Sequence, residues 1–157
     1  MNAADVNYIV VHCSATPPSM DIGAAEITKM HQKRGWRTIG YHRVIRRNGQ
    51  LERGRLLTQM GAHVKGYNAQ SVGVCLVGGV DSKGKSVMNF EPEQFHTLSV
   101  VLEDMELMFP NAVTLGHRDL SPDLDGDGVV ERNEWLKDCP CFDVRHFMLT
   151  GQTVFQT

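Results

Sequence analysis

Short apolar runs bounded by turn residues recur along this chain, and each is typical of a strand buried on both faces. They cover residues 8–11, 71–77 and 112–115. A hairpin is predicted with strands at 41–46 and 51–53, because the Asn48-Gly49 pair between them favours a tight antiparallel turn. The predicted strands are therefore spread along the whole chain.

Hydrophobic residues three or four positions apart predict three helices between and after these strands. The first begins at Asp21, a side chain suited to capping a helix start, and ends near Arg34, just before Gly35. The second begins at Pro92 and ends near 109, with an apolar stripe formed by Phe95, Leu98, Leu102, Met105 and Phe109. A short third helix covers 144–149 after its cap, Asp143.

Helices interleaved with buried strands are typical of α/β proteins. We therefore predict a single α/β domain over residues 1–157, with helices flanking a central mixed β-sheet. Residues 54–70 form a long loop, and loops of that length are uncommon unless they have a function. The sequence contains no internal repeat and no low-complexity segment.

Three side chains that can bind a metal stand at the ends of predicted elements. His12 follows the strand 8–11, His117 follows the strand 112–115, and Cys139 precedes the last helix. Two imidazoles and one thiolate suit Zn²⁺, and three protein ligands leave a fourth position for water, as in catalytic zinc sites. Spacing alone leaves two alternatives open: the histidines could be structural, and Cys141 rivals Cys139 as the thiolate.

A second metal site is predicted at residues 123–134, which match the twelve-residue calcium loop D-x-D-x-D-G-x₅-E. The pattern assigns the ligands to Asp123, Asp125, Asp127, Val129, Glu131 and Glu134, with Gly128 at the sharp turn. We predict bound Ca²⁺ because carboxylates this close together repel one another without a cation. The alternative is an acidic solvated loop. In EF-hands a helix precedes the calcium loop, whereas Ser121-Pro122 is not expected to be helical.

Charge and hydropathy argue against several classes of partner. A net charge of −2 gives no general attraction to nucleic acid, and the arginines between Arg43 and Arg55 are more simply a solvated hairpin face. No apolar stretch approaches the roughly 18 residues of a membrane span, and residues 1–6 lack a signal peptide's features. We therefore expect no nucleic acid and no membrane as partner, and folding in a reducing cytoplasm, with Cys13 and Cys75 in the core.

Several segments also resemble a known family in order and spacing. They are His12-Cys13-Ser14-Ala15-Thr16, Gly35-Trp36 with Gly40-Tyr41-His42, Lys65-Gly66-Tyr67-Asn68, the run 71–79, and Cys139-Pro140 with Phe142-Asp143. Together they are similar to the zinc amidases of the peptidoglycan-recognition superfamily, above all to its phage lysozymes of the T-seven type. The resemblance covers nearly the whole chain.

The resemblance implies that His12, His117 and Cys139 bind zinc, and the Cys139-Pro140 match selects Cys139 over Cys141. It implies bacterial peptidoglycan as the substrate. The bond cut would be the amide between N-acetylmuramic acid and L-alanine of the stem peptide. Zinc suits this reaction because it polarises a carbonyl and lowers the pKa of bound water.

The resemblance further implies that Tyr41 and Lys137 are the catalytic side chains. Lys137 would face the negative oxygen of the tetrahedral intermediate, and Tyr41 would orient water or carry a proton. The alternatives are an ordinary surface lysine and a core tyrosine. His63 and Asn68, in the long loop, are candidates for lining the substrate groove.

The expected function is that of a phage endolysin, a zinc-dependent N-acetylmuramoyl-L-alanine amidase. Alternatives are a peptidoglycan-binding module without activity, or a zinc peptidase acting on cell-wall peptides. A regulatory role is a third class, because the resembling lysozymes include one that binds its phage's RNA polymerase, although nothing in this sequence indicates such a surface. We expect a monomer made in the host cytoplasm that reaches the wall by holin-type release.

Overall fold

The computed structural model describes residues 1–151, and its centre is a five-stranded β-sheet. The strands are β1 (Tyr8–Cys13), β2 (Arg43–Ile45), β3 (Leu51–Arg53), β4 (Ser71–Leu76) and β5 (Val113–Gly116). Their order across the sheet is β3-β2-β4-β1-β5. Only β2 and β3 pair in antiparallel fashion, and the other neighbouring strands run parallel. The predicted single α/β domain with a mixed sheet is confirmed.

Three α-helices accompany the sheet within the described residues: α1 (Ala24–Lys33), α2 (Pro92–Met108) and α3 (Val144–Thr150). Single turns of 3₁₀ helix occur at Ala3–Asp5, Asn68–Gln70, His117–Leu120 and Arg132–Glu134. The predicted starts of α2 and α3 are confirmed, and the Asp143 carboxylate caps α3 by accepting from the amide of His146 at 3.0 Å. No helix among residues 1–151 combines the length and apolarity needed to cross a bilayer.

The start of α1 differs from its prediction. Asp21 does not cap the helix, which begins at Ala24 after Gly23. The carboxylate of Glu52, on β3, instead accepts a hydrogen bond from the Ala24 amide at 2.8 Å. The Glu52 carboxylate provides an acceptor for the first amide of α1 and lies at the positive end of the helix dipole. Glu52, from the hairpin, therefore caps α1 in place of a residue next to it in sequence.

Both faces of the sheet are buried, and β1 contributes to each because its side chains alternate. Ile9 and Val11 point into the larger core, which α2 and α3 cover. Val10 points to the other face, where it packs with Val64 from the long loop 54–70. His12, two residues after Val10, lies on the same face of β1. Its side chain therefore faces the loop 54–70.

Candidate active site

The histidines at two strand ends meet because β1 and β5 are adjacent and parallel. His12 is the fifth residue of β1, and His117 comes directly after β5, so both project from the carboxyl edge of the sheet, where ligands gather in open α/β sheets. The two ring centroids lie 4.6 Å apart. His12 is 1% exposed, whereas His117 is partly exposed, so the pair lies at the inner wall of an open site.

Cys139 completes this cluster from a loop far along the chain. One donor atom from each of His12, His117 and Cys139 lies within 4.8 Å of the others, and Cys139 Sγ is 3.9 Å from His12 Nδ1. The sulfur also accepts a hydrogen bond from the Cys13 amide at 3.1 Å. Two imidazole nitrogens and one cysteine sulfur so close together form a donor set that fits a zinc ion.

The loop that carries Cys139 is seated directly on the end of β5. The Arg118 amide donates to the Cys139 carbonyl at 2.9 Å. Pro140 packs so closely on Gly116 that a Cβ at that glycine would lie 2.9 Å from the proline Cδ. The glycine before His117 therefore lets the third ligand approach the first two.

The site keeps its imidazoles neutral, as metal ligands must be. Burial lowers the pKa of His12 well below its usual value, with neighbouring His63 and His117 adding to the effect. Burial, together with the charge of Lys137, lowers the pKa of His117 to about 4. Both rings therefore offer a lone pair at neutral pH without having to lose a proton first.

The rival thiol, Cys141, points elsewhere. Its Sγ donates to the Gly79 carbonyl at 3.3 Å, and a hydrogen bond with Cys13 and then burial raise its pKa. Cys13 and Cys75 lie in the core, as predicted, and all four cysteines are free thiols. Cys139 is thus the cysteine that the structure brings to the two histidines.

Tyr41 lies beside the cluster, two residues before β2 rather than inside the predicted strand. Its ring centroid is 5.1 Å from that of His12, and the ring packs against the apolar cluster that contains Ile39 and Val44. Burial raises the pKa of the Tyr41 phenol, so the hydroxyl keeps its proton at neutral pH. A protonated hydroxyl at this place can donate to an oxygen that reacts near the cluster.

Lys137 lies on an exposed ridge that separates two clefts. One cleft, of about 410 Å³, is lined by Trp36, Ala62, His63, Val64, Lys65, Asn68, His117, Leu136 and Lys137. The other, of about 510 Å³, lies on the side of Cys13, Gly79, Val80 and Cys139, and it shares Leu136 and Lys137 with the first. The candidate metal centre is therefore reached from two sides, with an ammonium group between them.

His63 and Asn68 both line the first cleft, but each also makes internal contacts that sequence reasoning missed. His63 is 9% exposed, and its Nδ1 lies 2.8 Å from Nε2 of His12. The side-chain Oδ1 of Asn68 accepts from the main-chain amides of His63 at 2.9 Å and Val64 at 3.0 Å. Nothing in the spacing of residues 12 and 63 could have revealed their contact, because it depends on how the long loop folds back.

The other buried histidines serve the backbone. His42 Nδ1 accepts from the Gly73 amide at 3.0 Å, while its Nε2 lies 2.7 Å from the Gln59 carbonyl. His31 Nδ1 accepts from the Gly40 amide at 2.9 Å, which supports the segment that leads to Tyr41. Both rings are thus held by main-chain groups.

The acidic segment 123–134 folds into a compact loop with its carboxylates in two groups. Oxygen atoms of Asp123, Asp125 and Glu134 lie within 4.8 Å of one another, and so do those of Asp125, Asp127 and Glu131. Repulsion from Asp127, and then from Asp125, raises the pKa of Glu131. The structure therefore brings the five predicted carboxylates together.

The two ends of this segment are joined to each other. The Leu136 amide donates to Ser121 Oγ at 3.1 Å, so the chain leaves and re-enters the domain at nearly one point. Next to that junction, the guanidinium of buried Arg118 stacks 4.0 Å from the ring centroid of Trp135. These contacts hold the base of the loop beside the ridge that carries Lys137.

Comparison with known sequences finds similar proteins over most of the chain. Residues 2–139 match the sequence profile of the N-acetylmuramoyl-L-alanine amidase family. The chain is 43% identical over 150 residues to an endolysin of Enterobacteria phage K11, covering 96% of this chain and 90% of the relative. An endolysin of Escherichia phage T7 is 41% identical over 146 residues, covering 93% and 87% respectively.

Solved structures agree on the fold. The endolysin N-acetylmuramoyl-L-alanine amidase LysCS of Clostridium intestinale superposes with a TM-score of 0.67 at 25% identity, covering 88% of this chain and 76% of that one. Drosophila PGRP-LB superposes with a TM-score of 0.63 at 23% identity, covering 86% and 74%. The second likeness concerns the fold alone.

Proposed function

The chain belongs to the N-acetylmuramoyl-L-alanine amidase family, and we propose that its reaction depends on a zinc ion held by His12, His117 and Cys139. As a member of that family, it hydrolyses the amide between N-acetylmuramic acid and L-alanine in bacterial peptidoglycan, the activity of a phage endolysin. The observation that carries the metal proposal is the convergence of two neutral imidazoles and one sulfur within 4.8 Å.

A zinc ion bound there supplies Lewis acidity, which polarises the amide carbonyl and lowers the pKa of water toward neutrality. The protein residues prepare for it in two ways. Burial holds His12 and His117 unprotonated, and the Cys13 amide donates a hydrogen bond to the Cys139 sulfur. Both imidazole ligands are thus ready before a metal arrives.

Two further side chains act on the substrate in this proposal. Lys137, on the ridge between the clefts, holds its ammonium toward the carbonyl oxygen and balances the negative charge that develops there during attack. Tyr41, whose hydroxyl keeps its proton, orients the attacking water or the carbonyl by donating a hydrogen bond. His63 and Asn68 border the cleft that would receive one arm of the substrate.

We propose that the enzyme acts on the cell wall after holin-type release from the cytoplasm in which it is made. The related endolysins support this role, since they come from phages and share most of the chain. Peptidoglycan offers a glycan strand and a stem peptide on opposite sides of the scissile amide. Two clefts that meet at one ridge suit a substrate with two arms.

Digestion of purified sacculi tests the reaction directly. We expect new L-alanine amino termini on the released peptides, while the glycan strands stay intact. Mass spectrometry of the products and end-group labelling measure both. Digestion should stop after zinc is removed and return when Zn²⁺ is restored. New reducing sugar ends, or cleavage within the stem peptide, would contradict the amidase assignment.

We also propose that residues 123–134 bind Ca²⁺. The main chain already adopts a wrapped form around the acidic side chains: Asp123 accepts from the amides of Gly126 and Gly128, at 3.0 and 2.7 Å. Glu134 is 4% exposed and accepts from three amides, those of Leu124, Asp125 and Glu131. Asp125, Asp127 and Glu131 supply further carboxylates, and Val129 completes the predicted ligand set through its carbonyl oxygen.

Calcium should raise the melting temperature of the protein, because a ligand that binds only the folded state stabilises it by mass action. The Asp125→Asn variant should lose most of this shift, since Asp125 belongs to both carboxylate groups. Asp104→Asn, on the distant helix α2, serves as the matched control. Differential scanning calorimetry with Ca²⁺ and with a calcium-selective chelator measures the shift. Equal melting in both conditions would reject the calcium site.

A further inference from the structure

A chain of hydrogen bonds runs from the candidate metal centre into the protein, and its members are His12, His63 and Ser71. We propose that His63 is a positioning residue which, supported by Ser71, holds His12 in the tautomer whose Nδ1 lone pair faces the metal. The inference rests on the zinc site proposed above and assigns His63 a role beyond lining the cleft.

Ser71, at the inner end of this series of hydrogen bonds, determines which atom donates in each of them. Ser71 Oγ lies 2.8 Å from the Tyr67 carbonyl, which can only accept, so the single hydroxyl proton is donated there. The same oxygen lies 3.2 Å from His63 Nε2 and must therefore accept from it. The proton of a neutral His63 is then on Nε2, and its Nδ1 is left with a lone pair.

The lone pair on His63 Nδ1 determines the tautomer of the His12 ring. Its Nδ1 lies 2.8 Å from His12 Nε2, which must carry the proton between the two nitrogens. Neutral imidazole has one N–H, so His12 Nδ1 is unprotonated. That nitrogen is the one beside Cys139 Sγ, at 3.9 Å, and it is therefore the atom offered to zinc.

The surroundings hold His63 in this orientation. The ring lies against Gly73 of β4 so closely that a Cβ there would be 2.7 Å from His63 Nδ1. Asn68 holds the His63 amide at 2.9 Å and fixes the backbone beneath the ring. Both ring nitrogens have buried partners, so the other tautomer would place two donors or two acceptors opposite each other, and a flipped ring would place carbon atoms opposite those partners.

Removing His63 should weaken metal binding without touching a ligand. Partners that orient a metal-binding histidine typically account for 10- to 100-fold in affinity. His63→Ala should lower zinc affinity by about that factor. His63→Asn should stay nearer the wild-type affinity, because its Oδ1 can replace Nδ1 as the acceptor. Ser71→Ala should give a smaller loss, since His63 then loses the acceptor that selects its own tautomer.

Two measurements without peptidoglycan test the proposal. Competition with a chromogenic chelator gives the zinc affinity of each variant, with His31→Ala as the control that removes another buried imidazole. Long-range ¹H–¹⁵N spectra of the metal-free protein give the histidine tautomers. We expect His12 to carry its proton on Nε2 in the wild type and to become a mixture of tautomers in His63→Ala.

Wild-type zinc affinity in His63→Ala, or a proton on Nδ1 of His12 in the metal-free wild type, would overturn the proposal. If His63→Ala fails to fold, the wild-type spectrum and the Ser71→Ala affinity decide it. Failure of the zinc site itself looks different: the wild type would then bind no zinc, whatever tautomer the spectra assign to His12.

Discussion

Replacing Cys139 with serine is expected to abolish both zinc binding and amidase activity, whereas Cys141→Ser should retain both. The Cys139 sulfur lies within 4.8 Å of donor atoms from His12 and His117, while the Cys141 sulfur bonds to the Gly79 carbonyl. A serine hydroxyl does not lose its proton as readily as a cysteine thiol does. The metal would therefore lose its negatively charged ligand. Loss of the Lewis acid, which contributes several kcal/mol, should slow hydrolysis by roughly 10³-fold or more.

Metal content after dialysis and the rate of sacculus clearing measure these effects. The two cysteines are two residues apart and both partly exposed, so each variant controls for the other. Melting curves recorded without zinc separate a lost ligand from a lost fold. Equal zinc content in the two variants would show that the ligand has been assigned to the wrong sulfur.

Lys137→Ala is expected to retain zinc but to lower turnover by roughly 10²-fold or more, as measured for other single contacts to a developing oxyanion. Lys137 is exposed and its charge contributes, after burial, to the lowered pKa of His117, so the ammonium lies near the reacting centre. The loss should appear in kcat rather than in KM, because the contact strengthens only as charge develops.

Lys33→Ala on α1 is the matched control, since it removes an exposed ammonium far along the chain from the ridge. Lys137→Arg keeps the positive charge and should fall between the wild type and the alanine variant. Steady-state kinetics on a soluble muropeptide and metal analysis provide the measurements. Unchanged kcat in Lys137→Ala would make Lys137 an ordinary surface lysine.

Most of the strands and helices could be predicted because the information is local, whereas the meeting of His12 with His117 was implied only by the resemblance to a known family. Apolar runs mark β1 and β5, and parallel neighbours bring the residues at their ends to one edge of the sheet. The acidic loop was equally accessible, since its pattern lies within twelve consecutive residues. For the strands, the helices and the acidic loop, a short segment carries the whole signal.

The features that could not be predicted depend on contacts between distant segments. Glu52 replaces Asp21 at the start of α1 because the hairpin folds against that helix. His63 reaches His12 across 51 positions because the loop 54–70 turns back over the sheet. No periodicity records either contact, and both arise only once the tertiary structure has formed.

The hydrogen bond between Ser121 and Leu136 has a consequence for how this protein could be altered. The segment between Ser121 and Leu136 begins and ends at nearly the same point of the domain. Its length therefore affects the free energy of folding only through the entropy of closing a loop, which changes slowly with loop length. A much shorter or longer connection that keeps Trp135 stacked on Arg118 should therefore be accommodated with the catalytic residues undisturbed. The acidic stretch can therefore be exchanged as a unit between two fixed points of the domain.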